Sequence, residues 1–295
     1  MAAPMFQGSL CALITPFTGD RVDERAFQSF IQWQIDQGTE GVVACGTTGE
    51  SPTVSHAENK RIIDLAVEVC KGRVSVIAGT GSNSTAEAID LTSHAARAGA
   101  DAALVVTPYY NKPSQEGIFQ HFKAVQDSVD LPVLIYNIPG RSVVDVSVET
   151  MTRLAGLPNV IGVKDSTKDI QRPHYTRDAI GRDFCQLSGE DGTVLPFLAM
   201  GGHGCISVTA NVAPGPLGNL HRAWRNGDVE QAQRINDRLM PLHDAMFCEP
   251  SPSPAKYGAS LLGFGSERVR LPMVRCSDKA KQQVREAMIY AGLLS

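Results

Sequence analysis

Asn159-Val160-Ile161-Gly162-Val163-Lys164-Asp165-Ser166 is a short apolar run that ends in a lysine instead of a turn residue. Three β-branched residues with only a glycine among them read as a strand covered on both faces, as in a parallel sheet, with Lys164 at its C-terminal end. A lysine so placed stands between core and solvent. At an ordinary pKa of about 10.4 an amine is deprotonated only to roughly 0.04% at neutral pH, whereas a pKa of about 7 to 8 makes it a usable nucleophile. Partial burial in an apolar surrounding supplies such a change. The plainer reading is a lysine that marks where the strand meets water.

Outward from this run, short apolar stretches alternate with longer stretches of helical period from Gly8 to about Arg225. The strand-like runs are Ser9–Phe17, Gly41–Cys45, Val74–Ala78, Ala102–Thr107, Val133–Asn137, Val160–Lys164, Cys185–Ser188 and Cys205–Val208. Between them Phe27, Phe30, Ile31 and Ile35 repeat on one helical face, as do Ile62, Leu65, Ala66 and Val69. Ser55-x-x-Glu58 and Ser84-x-x-Glu87 are capping-box starts. A weak internal echo, in which a helix ends in glycine and a polar residue precedes the next strand, recurs at 37–43, 98–104 and 201–206.

Alternating β and α elements imply parallel strands joined by right-handed crossovers, and eight such strands close into a barrel. The expected fold is therefore α/β, a (β/α)8 TIM barrel over residues 1–225. A doubly wound open sheet is the alternative, but no Gly-x-Gly-x-x-Gly opens a helix and no Gly-Lys-Ser/Thr phosphate loop occurs. Beyond Asn226 the strands stop. Ile235, Leu239, Leu242 and Met246 mark an amphipathic helix, and after Pro250, Pro252 and Pro254 come helical stretches at Ala255–Leu262 and Asp278–Leu294. Residues 226–295 read as a helical appendage packed on the barrel.

The 27 basic and 31 acidic residues leave a formal net charge of -4 without a basic stripe, so the chain reads as binding neither nucleic acid nor membrane. Seven cysteines form no C-x-x-C pair, and Cys11, Cys45, Cys185 and Cys205 fall within strand-like runs. They read as reduced core thiols of a cytoplasmic protein. Residues 1–17 lack the basic start of a signal peptide, and no apolar stretch of about 18 residues occurs.

In a (β/α)8 barrel, catalytic groups project from the C-terminal ends of the strands. Here those ends carry Gly46-Thr47-Thr48-Gly49-Glu50, Pro108-Tyr109-Tyr110-Asn111, Tyr136-Asn137-Ile138-Pro139-Gly140-Arg141, Lys164-Asp165-Ser166-Thr167 and Ser188-Gly189-Glu190-Asp191. The glycine-flanked threonines offer backbone N–H groups and hydroxyls to a carboxylate, or are simply a turn with helix-starting hydroxyls. Tyr136 either moves protons to and from a lysine adduct or is a half-buried tyrosine with its hydroxyl in water, and Arg141 either grips a carboxylate with two parallel hydrogen bonds or, like most loop arginines, only meets solvent. The histidines are scattered without metal-ligand spacing, and no Gly-x-Ser-x-Gly elbow appears.

Gly46-Thr47-Thr48-Gly49-Glu50, Tyr136-Asn137-Ile138-Pro139-x-Arg141-Ser142 and Gly162-Val163-Lys164-Asp165-Ser166, in this order and spacing, closely resemble the 4-hydroxy-tetrahydrodipicolinate (dihydrodipicolinate) synthases. The resemblance spans essentially the whole chain, including Ile14-Thr15-Pro16-Phe17 and the helical tail. It implies condensation of pyruvate with L-aspartate 4-semialdehyde through a Schiff base on Lys164, on the route to diaminopimelate and lysine, with no metal or dissociable cofactor. It further implies a proton relay of Tyr136, Thr47 and Tyr110, the last from a neighbouring subunit, in a homo-oligomer that is commonly a dimer of dimers. Thr48 and the backbone at Ile206 would hold the pyruvate carboxylate, and Arg141 that of the semialdehyde. Ser51, Val54, His56, Asn83, Glu87 and Tyr109 correspond to an L-lysine effector site, although Asn59 stands where many lysine-sensitive members carry histidine. Sister branches, the N-acetylneuraminate lyases and 2-keto-3-deoxy sugar-acid aldolases, share the Schiff base. Arg141 and the paired Tyr109-Tyr110 favour the synthase branch, and the intact Lys164, Tyr136 and Thr47 count against a barrel that only binds.

Overall fold

A computed structural model of the chain describes residues 5–295, so the first four residues of the N-terminal segment expected to carry no signal lie outside it. Eight barrel strands are formed: β1 (Gly8–Ala12), β2 (Gly41–Ala44), β3 (Ser75–Gly79), β4 (Ala102–Val106), β5 (Val133–Asn137), β6 (Val160–Asp165), β7 (Cys185–Ser188) and β8 (Gly204–Ser207). They close into a ring in the order β1-β8-β7-β6-β5-β4-β3-β2. This is the (β/α)8 barrel with a helical tail that the alternation of elements predicts.

The first expected strand is shorter than Ser9–Phe17. Pro16 has no N–H to donate to a ladder, and Phe17-Thr18 instead pairs antiparallel with Arg21-Val22 in a small ribbon. The Asn211 side chain satisfies the freed backbone, accepting from the Ile14 N–H at 2.9 Å and donating to the Ala12 carbonyl at 2.7 Å.

Two compact units make up the chain. One comprises residues 5–7 and Ser75–Ile206, and in it β4 through β7 pair in parallel, each strand buried along nearly its whole length. Its helices start on short polar side chains: Ser114 accepts from the Gly117 N–H and Ser147 from the Thr150 N–H. The other unit, Gly8–Val74 with Ser207–Ser295, pairs β1 with β2 and carries the tail helices Val229–Ala245, Ser253–Leu261 and Asp278–Tyr290. In it helix Val229–Ala245 packs on helix Pro214–Arg225 and on Asp278–Tyr290. The aromatic rings of Phe30 and Trp33 meet Phe264 at 5.4 and 4.6 Å between centroids.

Of the two expected capping boxes only one forms. Ser55 accepts from the Glu58 N–H while Glu58 reaches back to the Ser55 N–H. Ser84 makes no side-chain cap bond, and the Glu87 carboxylate accepts from the Ser82 hydroxyl at 2.6 Å instead.

Candidate active site

Strand β6 carries Lys164 near its C-terminal end as expected, but its register is set by an irregularity. Val133 on β5 faces Val160 on β6, while the next residue, Leu134, faces Gly162. Ile161 is thus the extra residue of a bulge, and the side chains beyond it are shifted by one position, onto the opposite face. In consequence Tyr136 faces Lys164, where an unbroken ladder would put Val163 opposite it. The Lys164 side chain is buried, at 6% exposure, and its Nζ lies 4.2 Å from the centre of the Tyr136 ring. Gly162 lets this geometry form, since a Cβ there would stand 2.3 Å from the Cys185 carbonyl on β7.

Asp165, next on β6, is buried and binds the following turn, accepting from the Thr167 N–H at 2.8 Å and its hydroxyl at 2.6 Å. Burial pushes its carboxyl above the usual carboxylate range against the downward pull of those bonds and of Arg172. Beyond β7, burial likewise raises the Glu190 carboxyl, opposed by Lys168.

Asn137, fully buried at the end of β5, organises the segment that holds Arg141. Its amide donates to Asp145 at 2.7 Å and its oxygen accepts from the Val146 N–H at 3.1 Å. Arg172 donates to the Val146 carbonyl at 2.9 Å and pairs with Asp145. Between these points the turn Pro139–Ser142 presents Arg141 to solvent, and the Ser142 hydroxyl bonds the Ile138 and Val144 carbonyls. No feature of the sequence singled out Asn137 or Asp145 as partners, because their pairing follows from the path of the loop.

Tyr110 does not join Lys164 within this chain. It is 88% exposed and held in left-handed backbone at φ 69. Ile206 is fully buried on β8. Tyr109, Asn83 and Glu87 of the expected effector set share one neighbourhood: Tyr109 bonds the Asn83 backbone, and burial with the nearby Glu87 charge pushes its hydroxyl pKa up. Asn111 donates to the Asn83 carbonyl at 2.9 Å.

The remaining candidates lie in the other unit. Thr47 is half-buried and Thr48 buried on the turn after β2. The turn is tight: the Gly49 N–H donates to the Gly46 carbonyl, the Glu50 N–H to the Thr47 carbonyl, and the Thr15 hydroxyl to the Gly49 carbonyl at 2.7 Å. Gly49 has little room for a Cβ, which would meet the Leu13 carbonyl at 3.1 Å. Glu50, at φ 59 and 2% exposed, closes the turn with a carboxylate that accepts from Lys256 Nζ at 2.6 Å and from the Arg270 N–H at 2.9 Å. Ser51 follows it, Val54 is buried, and His56 is exposed at the start of the next helix. Lys256 escaped the sequence reading, since a lysine within a helix is ordinarily assigned to solvent.

The chain is similar to known proteins over nearly its whole length. A 4-hydroxy-tetrahydrodipicolinate synthase of Rhodospirillum centenum is 62% identical over 291 residues, covering 99% of this chain and all of that one. The chloride-inhibited dihydrodipicolinate synthase from Acinetobacter baumannii complexed with pyruvate superposes with a TM-score of 0.95 at 42% identity, over 98% of this chain and 99% of that one. DHDPS from Cyanidioschyzon merolae with lysine bound gives 0.96 at 38% identity, over 99% and 100%. With residues 5–290 also matching the family model for the dihydrodipicolinate synthetase family, the chain belongs to that family.

Proposed function

We propose that the chain is a lyase that condenses pyruvate with L-aspartate 4-semialdehyde to 4-hydroxy-tetrahydrodipicolinate, in diaminopimelate and lysine biosynthesis. The observation that carries this reading is the buried Lys164 with its amine 4.2 Å from the Tyr136 ring, on the strand ends where the family motifs lie. The neutral amine attacks the pyruvate ketone, and its proton passes to the oxygen to give a carbinolamine. That hydroxyl takes a second proton and leaves as water, and the nitrogen lone pair closes a protonated imine. The imine withdraws electrons from the methyl group, which loses a proton and becomes an enamine. The enamine carbon adds to the aldehyde, whose oxygen is protonated. The semialdehyde's own amine then displaces Lys164 as the ring closes.

In this reading Tyr136, Thr47 and Tyr110 of a neighbouring copy relay the protons. The high exposure of Tyr110 suits a side chain used across an interface, and a homo-oligomer, a tetramer built as a dimer of dimers, follows by analogy. Thr48 and the Ile206 backbone hold the pyruvate carboxylate and Arg141 that of the semialdehyde. L-lysine is an effector, bound by Ser51, Val54, His56, Asn83, Glu87 and Tyr109, a reading supported by the lysine-bound relative and the Tyr109–Asn83–Glu87 cluster. The cysteines are thiols, most of them buried, which supports a cytoplasmic setting. Among the described residues no helix is long and apolar enough to cross a membrane.

Borohydride added with pyruvate alone tests the chemistry. Intact-mass spectrometry is expected to show one reduced adduct, mapped to the peptide containing Lys164 and absent from Lys164→Ala. An unlabelled wild type, or undiminished labelling of the variant, removes the Schiff base. Turnover of N-acetylneuraminate but not of the semialdehyde would move the chain to a sister branch.

A further inference from the structure

Two residues beyond the nucleophile, Ser166 is 6% exposed, and among the described residues its hydroxyl oxygen has no hydrogen-bond partner. Its backbone is fixed, with the N–H donating to the Asn137 carbonyl at 2.9 Å. A buried hydroxyl without a partner destabilises the fold unless something else bonds it. Ser166 follows directly on β6, and its side chain and that of Lys164 approach the same glycine. Gly189, just past β7, defines the space between them: a Cβ added there would stand 1.9 Å from the Ser166 Oγ and 3.0 Å from the Lys164 Cε. The Gly189 backbone is itself fixed by its N–H, which donates to the Asp165 carbonyl at 2.7 Å. The unpartnered hydroxyl and the last methylene of the lysine therefore lie side by side against the bare backbone of Gly189, an approach that a side chain there would forbid.

We infer that Ser166 is a catalytic residue whose hydroxyl binds the oxygen on C2 of pyruvate while Lys164 adds to it; the inference rests on the Schiff-base reading above. C2 is bonded to the lysine nitrogen in the adduct, so an oxygen on C2 is among the ligand atoms closest to the Cε. This oxygen changes character during the reaction. It begins as a carbonyl acceptor, becomes a hydroxyl when it gains the amine's proton, and departs as water after a second proton arrives, the C–O electron pair leaving with it and the nitrogen lone pair closing the C=N bond. A serine hydroxyl both donates and accepts, so it remains a partner at each stage, which a lysine ammonium or an arginine does not. A pyruvate carboxylate would accept only, and its binding falls to other groups.

The test follows the rate of adduct formation by quenching with borohydride at increasing pyruvate, in wild type and Ser166→Ala, alongside the melting temperature without ligand. The expected result is a saturating trapping rate at least tenfold lower in Ser166→Ala, an unchanged half-saturating pyruvate concentration, and a melting temperature equal to or above that of wild type. Trapping within twofold of wild type would overturn the inference while leaving the Schiff base intact. So would a variant that melts several degrees lower, because the hydroxyl then holds the fold. A raised half-saturating concentration with an unchanged maximal rate would reassign the hydroxyl to the carboxylate and overturn the step stated here. Failure of wild type itself to trap pyruvate would remove both readings together.

Discussion

Arg141 shows how a single exposed side chain acquires direction. It is solvent-exposed, but its turn is anchored at Asn137 through Asp145 and Val146, and the Ser142 hydroxyl stiffens the turn from inside. A guanidinium on so well-bonded a segment loses less freedom on gripping a carboxylate than one on a loose loop. Because the proposed partner is the second substrate, Arg141→Ala is expected to leave borohydride trapping of pyruvate within about twofold of wild type. Turnover with the semialdehyde should fall at least about tenfold, given the roughly 1.5 to 3 kcal/mol of a charge-assisted hydrogen bond. Paired trapping and turnover assays check this, and equal losses in both would place Arg141 in the pyruvate half of the site.

At the scale of an element, two identical four-residue patterns fold differently. Ser55-x-x-Glu58 closes its box on its own helix, whereas the Glu87 carboxylate is taken by Ser82, whose hydroxyl also accepts from the Ser84 N–H at 3.1 Å. Ser55→Ala is therefore expected to lower unfolding stability by about 1 kcal/mol, and Ser84→Ala to change it by less than about 0.5 kcal/mol. Urea unfolding of the two variants measures the contrast directly. The bulge at Ile161 is the element-scale feature with the largest consequence for function, since it decides which residue of β6 meets Tyr136. Gly162 follows the extra residue, at a point where the backbone of β7 leaves no room for a side chain.

At the scale of the molecule, the second unit is assembled from both ends of the chain, and a buried ion pair joins them across 206 residues. Lys256, fully buried, also donates to the Thr15 carbonyl at 2.7 Å and lies 4.1 Å from the centre of the Phe17 ring. Burial pulls its pKa down to about 8, against the upward pull of Glu50. Arg270 continues the network, donating its backbone N–H to Glu50 and its guanidinium to Glu58, whose carboxyl it holds down at about 2. Lys256→Met leaves the Glu50 carboxylate buried without its cation, and a loss of about 3 to 5 kcal/mol is expected. The double variant Glu50→Gln with Lys256→Met should recover much of that loss. Denaturant midpoints of the single and double variants test the coupling, which is absent if the two losses simply add.

The amino-acid sequence alone carries what depends on neighbours along the chain. Eight apolar runs with helical stretches between them specified the barrel, because strand and helix impose different periods on the same apolar requirement. Lys164, Tyr136, Arg141 and the Gly46–Glu50 turn were legible because each ends a strand or sits among glycines and prolines. Only the tertiary structure decided that the first strand stops at Ala12, that Ile161 bulges and so brings Lys164 opposite Tyr136, and that the unpartnered Ser166 hydroxyl lies beside the nucleophile. It alone paired Glu50 with a lysine 206 residues away. Each of these depends on where a distant backbone passes and whether it leaves a polar group bonded or alone, and no local period of the sequence carries that information.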